Sequence, residues 1–275
     1  MSNALAQRLL RHFELPAVPP ADLATLRLLV ERYTQTVPWE SASRIVRRAR
    51  LAESADCIVL GEAFWHEHLV HGAGGTCYES NYSFFALLRQ LGYNGYLTIN
   101  DIGGAVGCHS AIVVLLDGGK FLVDVGFPVH VVLPIDPHGQ TSADSPIMNY
   151  SLEKEAGNLY RLRRDPPMRT DGFLLHDEPV GDADYRAIAT HDYRPDGGQF
   201  LDAIVIQKVV GGQLWRFHSD LRPYVLQQFV EGERRDHDIS ADVAGGLADC
   251  FGIAREILSA AMAALGLACD GRATY

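Results

Sequence analysis

No apolar run in this 275-residue sequence reaches the ~18–20 residues needed to span a bilayer, so no membrane association is expected. Basic residues are also in short supply: 24 Lys and Arg stand against 34 Asp and Glu, a formal net charge of −10. That balance excludes nonspecific nucleic-acid binding, which needs a basic footprint. Cysteines are few, odd in number and unevenly spaced (Cys57, Cys77, Cys108, Cys250 and Cys269). A disulfide framework is therefore excluded, and a reducing cytoplasm is the expected location. Internal repeats and low-complexity tracts are lacking. The N-terminus lacks the h-region of a signal peptide; Leu5, Leu9, Leu10 and Phe13 recur at helical spacing with Arg8 and Arg11 opposite, the pattern of an amphipathic packing helix. His66, His68 and His71 stand near Glu67 without the spacing or completing ligands of a zinc site, so no metal is expected.

What is present is an ordinary globular composition, 47% hydrophobic and 21% charged, in a chain long enough for one large core or several small ones. Residues 1–92 read as mostly helical. One stripe, Leu23, Leu26, Leu29, Val30 and Tyr33, follows the start signal Pro19-Pro20, and another runs over 58–70 to a turn at Gly72–Gly75. Between 93 and 209, strand-like runs at 96–100, 110–116, 120–125, 159–163 and 200–209 alternate with turn signals such as Asp117-Gly118-Gly119, Asp136-Pro137 and Pro195-Asp196-Gly197-Gly198. The intervals rarely leave room for crossover helices, which favours a barrel or curled sheet. Residues 128–149 read as a long loop near the site. The last third reads as a strand pair with two helices, the final one over 253–267.

The chemistry concentrates in 48 residues, from Cys77 to Asp124. Cys77 follows the glycine turn and opens a helical stretch capped by Gly92; unpaired N–H groups at a helix start favour thiolate. His109 heads the strand run 110–116, and Asp124 lies in the next, between Val123 and Val125. Alone, a cysteine is more often a small buried hydrophobe and a strand histidine more often a satisfied core group. Together the three supply a nucleophile, a base and a group to orient the base. A buried carboxylate needs a partner, and histidine is a fitting one. Geometry is only half supportive. If Gly118-Gly119 close a two-residue hairpin, Val113 pairs with Asp124, and His109 shares its face but lies four residues, ~13 Å, along the ladder. A wider loop, a bulge or strong coiling must close that gap. Cys108 is a rival nucleophile, but adjacent strand residues face opposite sides, which turns it away from His109's pocket. The run Arg44, Arg47, Arg48 and Arg50, and the later Lys208, Arg216 and Arg222, could hold phosphate but read more readily as solvated faces.

In these motifs the chain resembles the arylamine N-acetyltransferase family. Ala73-Gly74-Gly75-Thr76-Cys77-Tyr78-Glu79-Ser80-Asn81 is similar to the family's nucleophile motif, His109 heads a strand as the family's histidine does, and Asp124-Val125-Gly126-Phe127 reproduces its Asp-Val-Gly-Phe. Pro38-Trp39-Glu40-Ser41 and Phe251-Gly252-Ile253 match earlier and later family segments. The resemblance implies an α+β fold with a cysteine-protease or transglutaminase-like core: a helical bundle over 1–92 carrying the nucleophile, a β-barrel over 93–200 carrying His and Asp, and an α/β lid over 201–275. It implies a catalytic triad of Cys77, His109 and Asp124, substrate contacts from Trp39, Gly126 and Phe127, and acetyl-CoA as co-substrate with a small arylamine or hydrazine as acceptor. Ala73, Thr76 and Pro128 depart from the family's arginine, tyrosine and glycine. They keep two alternatives open: an amide synthase fed by an acyl carrier protein, and a cysteine hydrolase or transglutaminase-like enzyme. With Ala73 in place of arginine, Glu40 is expected to take a donor from Arg44, His71 or a backbone N–H.

Overall fold

A computed structural model describes residues 1–165, 171–194, 196 and 198–267. Pro195 and Gly197 of the expected turn, Cys269 and the end of the chain lie outside the described residues. Helix α1 (Asn3–His12) buries Leu5, Leu9 and Leu10 as its stripe requires. Helix α2 (Leu23–Thr36) starts where the Asp22 side chain accepts the Thr25 N–H, and it buries Leu26, Leu29, Val30 and Tyr33. The short strand β1 (Trp39–Glu40) and helices α3 (Ala42–Arg50), α4 (Ser54–Cys57), α5 (Glu62–His71) and α6 (Cys77–Gln90) follow. The helix expected from residue 58 starts only at Glu62, because Gly61 adopts a positive φ of 62° just before it. Buried side chains of α1, α2, α5 and α6 form one core with Ile112, Val114 and Val123.

Eight strands make a nearly closed barrel: β2 (Asn94–Ile102), β3 (Ala105–Leu116), β4 (Gly119–Val123), β5 (Leu133–Pro134), β6 (Gln140–Asp144), β7 (Asn149–Ala156), β8 (Leu159–Asp165) and β9 (Asp171–His176). Their order is β5-β4-β3-β2-β9-β8-β7-β6, and the Thr141 hydroxyl of β6 donates to the Pro134 carbonyl of β5 at 2.6 Å across the gap. The barrel core holds Val113, Leu122, Leu133, Tyr150, Tyr160, Leu162 and Phe173. Residues 128–149 are therefore not one loop. They carry both barrel edges, whose short, polar or proline-bearing strands have no hydrophobic alternation to announce them.

The β3–β4 hairpin turns on Asp117-Gly118, both at positive φ (51° and 77°), rather than on Gly118-Gly119. Two consecutive left-handed residues are what a tight two-residue turn needs to follow the strand twist. Leu116 then pairs with Gly119, and Ile112 with Val123. The register moves Asp124 two residues nearer to His109 than the sequence suggested, and keeps it on the same face.

Helix α7 (Asp182–His191) leads to strands β10 (Val205–Val210), β11 (Gln213–His218), β12 (Val225–Val230) and β13 (Glu233–Asp238), then to helices α8 (Val243–Phe251) and α9 (Arg255–Ala264). The second sheet runs β1-β10-β11-β12-β13, so four strands follow α7 where the 200–209 run and one strand pair were expected. Every residue of β13 is exposed, and an all-polar strand gives no sequence signal. Ile45 and Val46 of α3 pack with Ile206, Phe217, Leu247, Phe251 and Leu258 in a third core. Among the described residues no helix is long and apolar enough to cross a membrane.

Candidate active site

The turn into α6 is held by close backbone contact. A Cβ on Gly74 would sit 1.8 Å from the Pro38 carbonyl oxygen, so only glycine lets the two segments meet. The Glu40 N–H donates to the Gly75 carbonyl at 3.2 Å. Fully buried Glu40 accepts from the N–H groups of Gly74 (3.1 Å) and Ser43 (2.9 Å) and from the Ser43 hydroxyl. Backbone and serine donors therefore replace the cation missing at Ala73, and neither Arg44 nor His71 is used.

The basic run of α3 is a solvated face only in part: Arg50 is exposed and Arg48 half-buried, but Arg44 and Arg47 turn inward. Arg44 is fully buried, 3.4 Å from Glu79 and stacked 4.2 Å over Tyr193, and Arg47 reaches Glu79 at 2.6 Å. Burial alone would raise the Glu79 carboxyl, but Arg47 and Arg44 outweigh it and hold it below the usual carboxylate range. Glu79 sits two residues after Cys77, so this network clamps the first turn of α6.

His109 Nε2 lies 2.7 Å from Asp124 Oδ2. Asp124 is not a strand residue; β4 ends at Val123, and the chain turns there. Its other oxygen accepts from the N–H groups of Gly126 (2.8 Å) and Phe127 (3.0 Å) and from Asn81 Nδ2 (2.9 Å). Asn81 also donates to the Ser110 carbonyl at 2.7 Å and accepts from Val125 N–H at 3.0 Å. One turn of α6 beyond Cys77, it ties the nucleophile helix to both barrel strands. Asn81 stood in the sequence motif without an assigned role; its i+4 spacing from Cys77 was the available signal.

Trp39, Cys77, His109, Gly126 and Phe127 line one cavity of about 410 Å³, with Asp124 behind His109. Gly126 is there by necessity, since a Cβ on it would fall 2.4 Å from the Cys77 Cα. Cys108 lines the same cavity, contrary to strict alternation. Gly107 takes a positive φ of 64° and the β2–β3 register shifts between Asn100 and Ile102, which breaks the two-residue period just there. Two arginines, Arg164 of β8 and Arg216 of β11, complete the wall; Arg164 was not among the residues singled out in the sequence.

Cys77 opens α6, so its N–H has no acceptor within the helix. Its sulfur is nearly buried, 3.8 Å from the Cys108 carbonyl oxygen. Burial pushes the thiol well above its ordinary pKa, and the Asp192 and Asp124 carboxylates push it further. That overturns the expectation of a resting thiolate stabilised by the helix start, because desolvation outweighs a partial charge. Asp192 itself is raised to about 6 by burial. Turning this thiol into a nucleophile therefore needs a proton acceptor inside the cavity, and the His109 Nδ1 is the ring nitrogen not engaged by Asp124.

The other histidines do not gather. His68 is buried between the Ala73 carbonyl (3.0 Å) and His12 (3.0 Å), and burial drives its pKa to about 3, whereas His66 and His71 are exposed. Among the described residues no group of His, Cys, Asp or Glu could hold a metal ion.

A family model described as N-acetyltransferase matches residues 22–211. The chain is 31% identical over 148 residues to an uncharacterized acetyltransferase, YvcN, of Bacillus subtilis (strain 168), covering 48% of this chain and 57% of that one. It is 26% identical over 151 residues to the proansamycin X synthase of Amycolatopsis mediterranei (strain S699), covering 51% of each. The chain thus spans about half the length of these curated relatives. The structure of Mycobacterium marinum arylamine N-acetyltransferase in complex with CoA superposes with a TM-score of 0.76 at 20% identity, over 92% of this chain and 97% of that one. The chain belongs to the arylamine N-acetyltransferase family.

Proposed function

We propose that this member of the arylamine N-acetyltransferase family moves an acetyl group from acetyl-CoA to an arylamine or hydrazine through an acetyl-Cys77 intermediate. The observation that carries the proposal is the cavity that joins Cys77 to a His109 already engaged by Asp124. His109 Nδ1 takes the Sγ proton, and the thiolate adds to the thioester carbonyl. The C–S bond to CoA breaks, and CoA leaves as a thiol with the proton His109 returns. The amine then adds to the acetyl-Cys77 carbonyl and gives its proton through His109 to the departing Cys77 sulfur, so both half-reactions balance. Asp124 fixes the imidazole tautomer and offsets its transient charge. The Cys77 N–H, at the start of a helix, is placed to donate to the developing oxyanion. In the same proposal, residues 1–92 supply the nucleophile, 93–200 the base and its partner, and 201–275 the lid. The expected compartment is the cytoplasm.

Intact-protein mass spectrometry tests this. Acetyl-CoA is expected to add one acetyl mass, Cys77→Ser to abolish the adduct, and an aniline or hydrazine to discharge it. No adduct with any thioester would contradict the proposal. An amide synthase is the second candidate, kept open by Ala73, Thr76 and Pro128, where the chain departs from the family's motifs. It would give little labelling by acetyl-CoA and efficient labelling by long or carrier-bound acyl thioesters.

A further inference from the structure

The turn that presents Cys77 is held by its polar backbone groups one by one. Glu40 accepts the Gly74 N–H, and the Glu40 N–H and the Ser80 hydroxyl both donate to the Gly75 carbonyl, the latter at 3.3 Å. The Ala73 carbonyl is held by His68, whose Nδ1 lies 3.0 Å away. Of the side chains in these contacts, only an imidazole has an ordinary pKa near neutrality.

A carbonyl oxygen can only accept, so the His68 proton is on Nδ1 and, in the neutral ring, Nε2 is bare. The His12 Nε2 lies 3.0 Å from the His68 Nε2, and the one proton between them therefore belongs to His12. These two contacts fix both tautomers. His12 is the last residue of α1 and is exposed, whereas His68 is 5% exposed and packs against the Trp65 ring. A chain of two hydrogen bonds thus runs from the surface of the N-terminal helix, through a buried imidazole, to the nucleophile turn.

The chain needs both rings neutral, because a proton added to the His68 Nε2 would set two N–H groups against each other. Among the described residues, the charged groups that act on the pair are cations: Arg8, one turn back on α1, and Lys208 of β10. Burial holds His68 at about 3, and burial, Lys208 and Arg8 hold His12 below its usual range. His68 thus titrates lower in the folded state than the ~6.5 of a free imidazole. Its hold is complete above that value and is lost as pH falls towards the folded one.

Resting on the reading of Cys77 as the acyl-carrying nucleophile, we propose that His68 and His12 are positioning residues, a two-imidazole latch that ties the N-terminal helix to the nucleophile turn and opens on acidification. On opening, the His68 Nε2 takes one proton from water, the bond to His12 is lost, and the Ala73 carbonyl loses its donor. The turn is then left to Glu40 and Ser80, and Cys77 to a looser place opposite His109.

The test uses the full chain. Imidazole 15N NMR at pH 8 should show the Nδ1–H tautomer for His68 and the Nε2–H tautomer for His12; the reverse at His68 overturns the proposal. Amide hydrogen exchange, corrected for intrinsic rates, then reads the latch. The Gly74 N–H should lose protection about tenfold per pH unit below pH ~6, as one proton taken up on opening requires. At every pH it should exchange faster than the Val114 N–H of the core. Equal protection at the two sites would mean that the turn opens only by global unfolding, which overturns the proposal. His68→Asn keeps a donor at the Nδ1 position but does not titrate, and it should flatten the Gly74 slope. The maximal rate of Cys77 acylation should likewise fall less steeply from pH 6.5 to 5 in His68→Asn than in the wild type. His12→Ala should lower Gly74 protection at pH 8, and His12→Gln should restore part of it. Coincident exchange slopes or coincident acylation profiles for wild type and His68→Asn overturn the proposal. Failure of every thioester to acylate Cys77 would instead remove the acyl-transfer reading, while the NMR and exchange results would still decide whether the latch exists.

Discussion

At the scale of single residues the site is a set of mutual constraints. Asp124→Asn replaces an acceptor that serves His109 and two N–H groups with an amide that can satisfy only part of them. Cys77 acylation is expected to fall by ~10³-fold or more, as when a triad carboxylate loses its charge, measured by stopped-flow mass analysis. Gly126→Ala must move the Cys77 backbone, since its Cβ would fall 2.4 Å from the Cys77 Cα. It should destabilise the fold by ~2–4 kcal/mol, as overpacking with a backbone shift does, and abolish acylation; equilibrium denaturation and adduct formation check both. Cys77, His109 and Asp124 could be singled out in the sequence, as could the helix start at Cys77; that Asp124 lies just past the end of its strand could not. The direction of the thiol's pKa was not legible, because it depends on how deeply other elements bury Cys77. Nor was the facing of Cys108, which a single left-handed glycine reverses.

At the scale of elements, α3 and α6 are joined by Arg44, Arg47 and Glu79. Glu79→Gln should cost ~3–5 kcal/mol, since it leaves two guanidiniums buried with less compensation, and chemical denaturation measures this. The pH dependence has a definite sign. The folded-state pKa of Glu79 is below its unfolded value, so its contribution is present above the unfolded pKa and is lost as pH falls through the folded one. The mutant should therefore show a shallower loss of stability on acidification. A basic run reads as solvent-facing in a linear sequence, which holds for Arg50, and only the tertiary arrival of Glu79 and Tyr193 draws Arg44 and Arg47 inward. The β3–β4 hairpin shows the same limit. Three turn-forming residues were visible, but which two form the turn sets a register that moves Asp124 by two residues.

At the scale of the whole molecule, the helices, barrel and second sheet meet at one cavity, each contributing part of its wall. The helical stripes and the central strands could be read from periodicity. The barrel edges, β13 and α7 could not, because they carry little apolar patterning and owe their structure to neighbours. In the proposed mechanism a thiol held protonated by burial becomes a nucleophile through His109. The most direct test is the pH profile of Cys77 alkylation by iodoacetamide, in the wild type and in His109→Ala, with His109→Gln as a control for packing. The wild type should react at neutral pH, because His109 can take the thiol proton as the sulfur attacks. Both variants should react only well above the ~8.5 of a free thiol, because burial remains after the base is gone. Coincident profiles for wild type and variants would contradict the account.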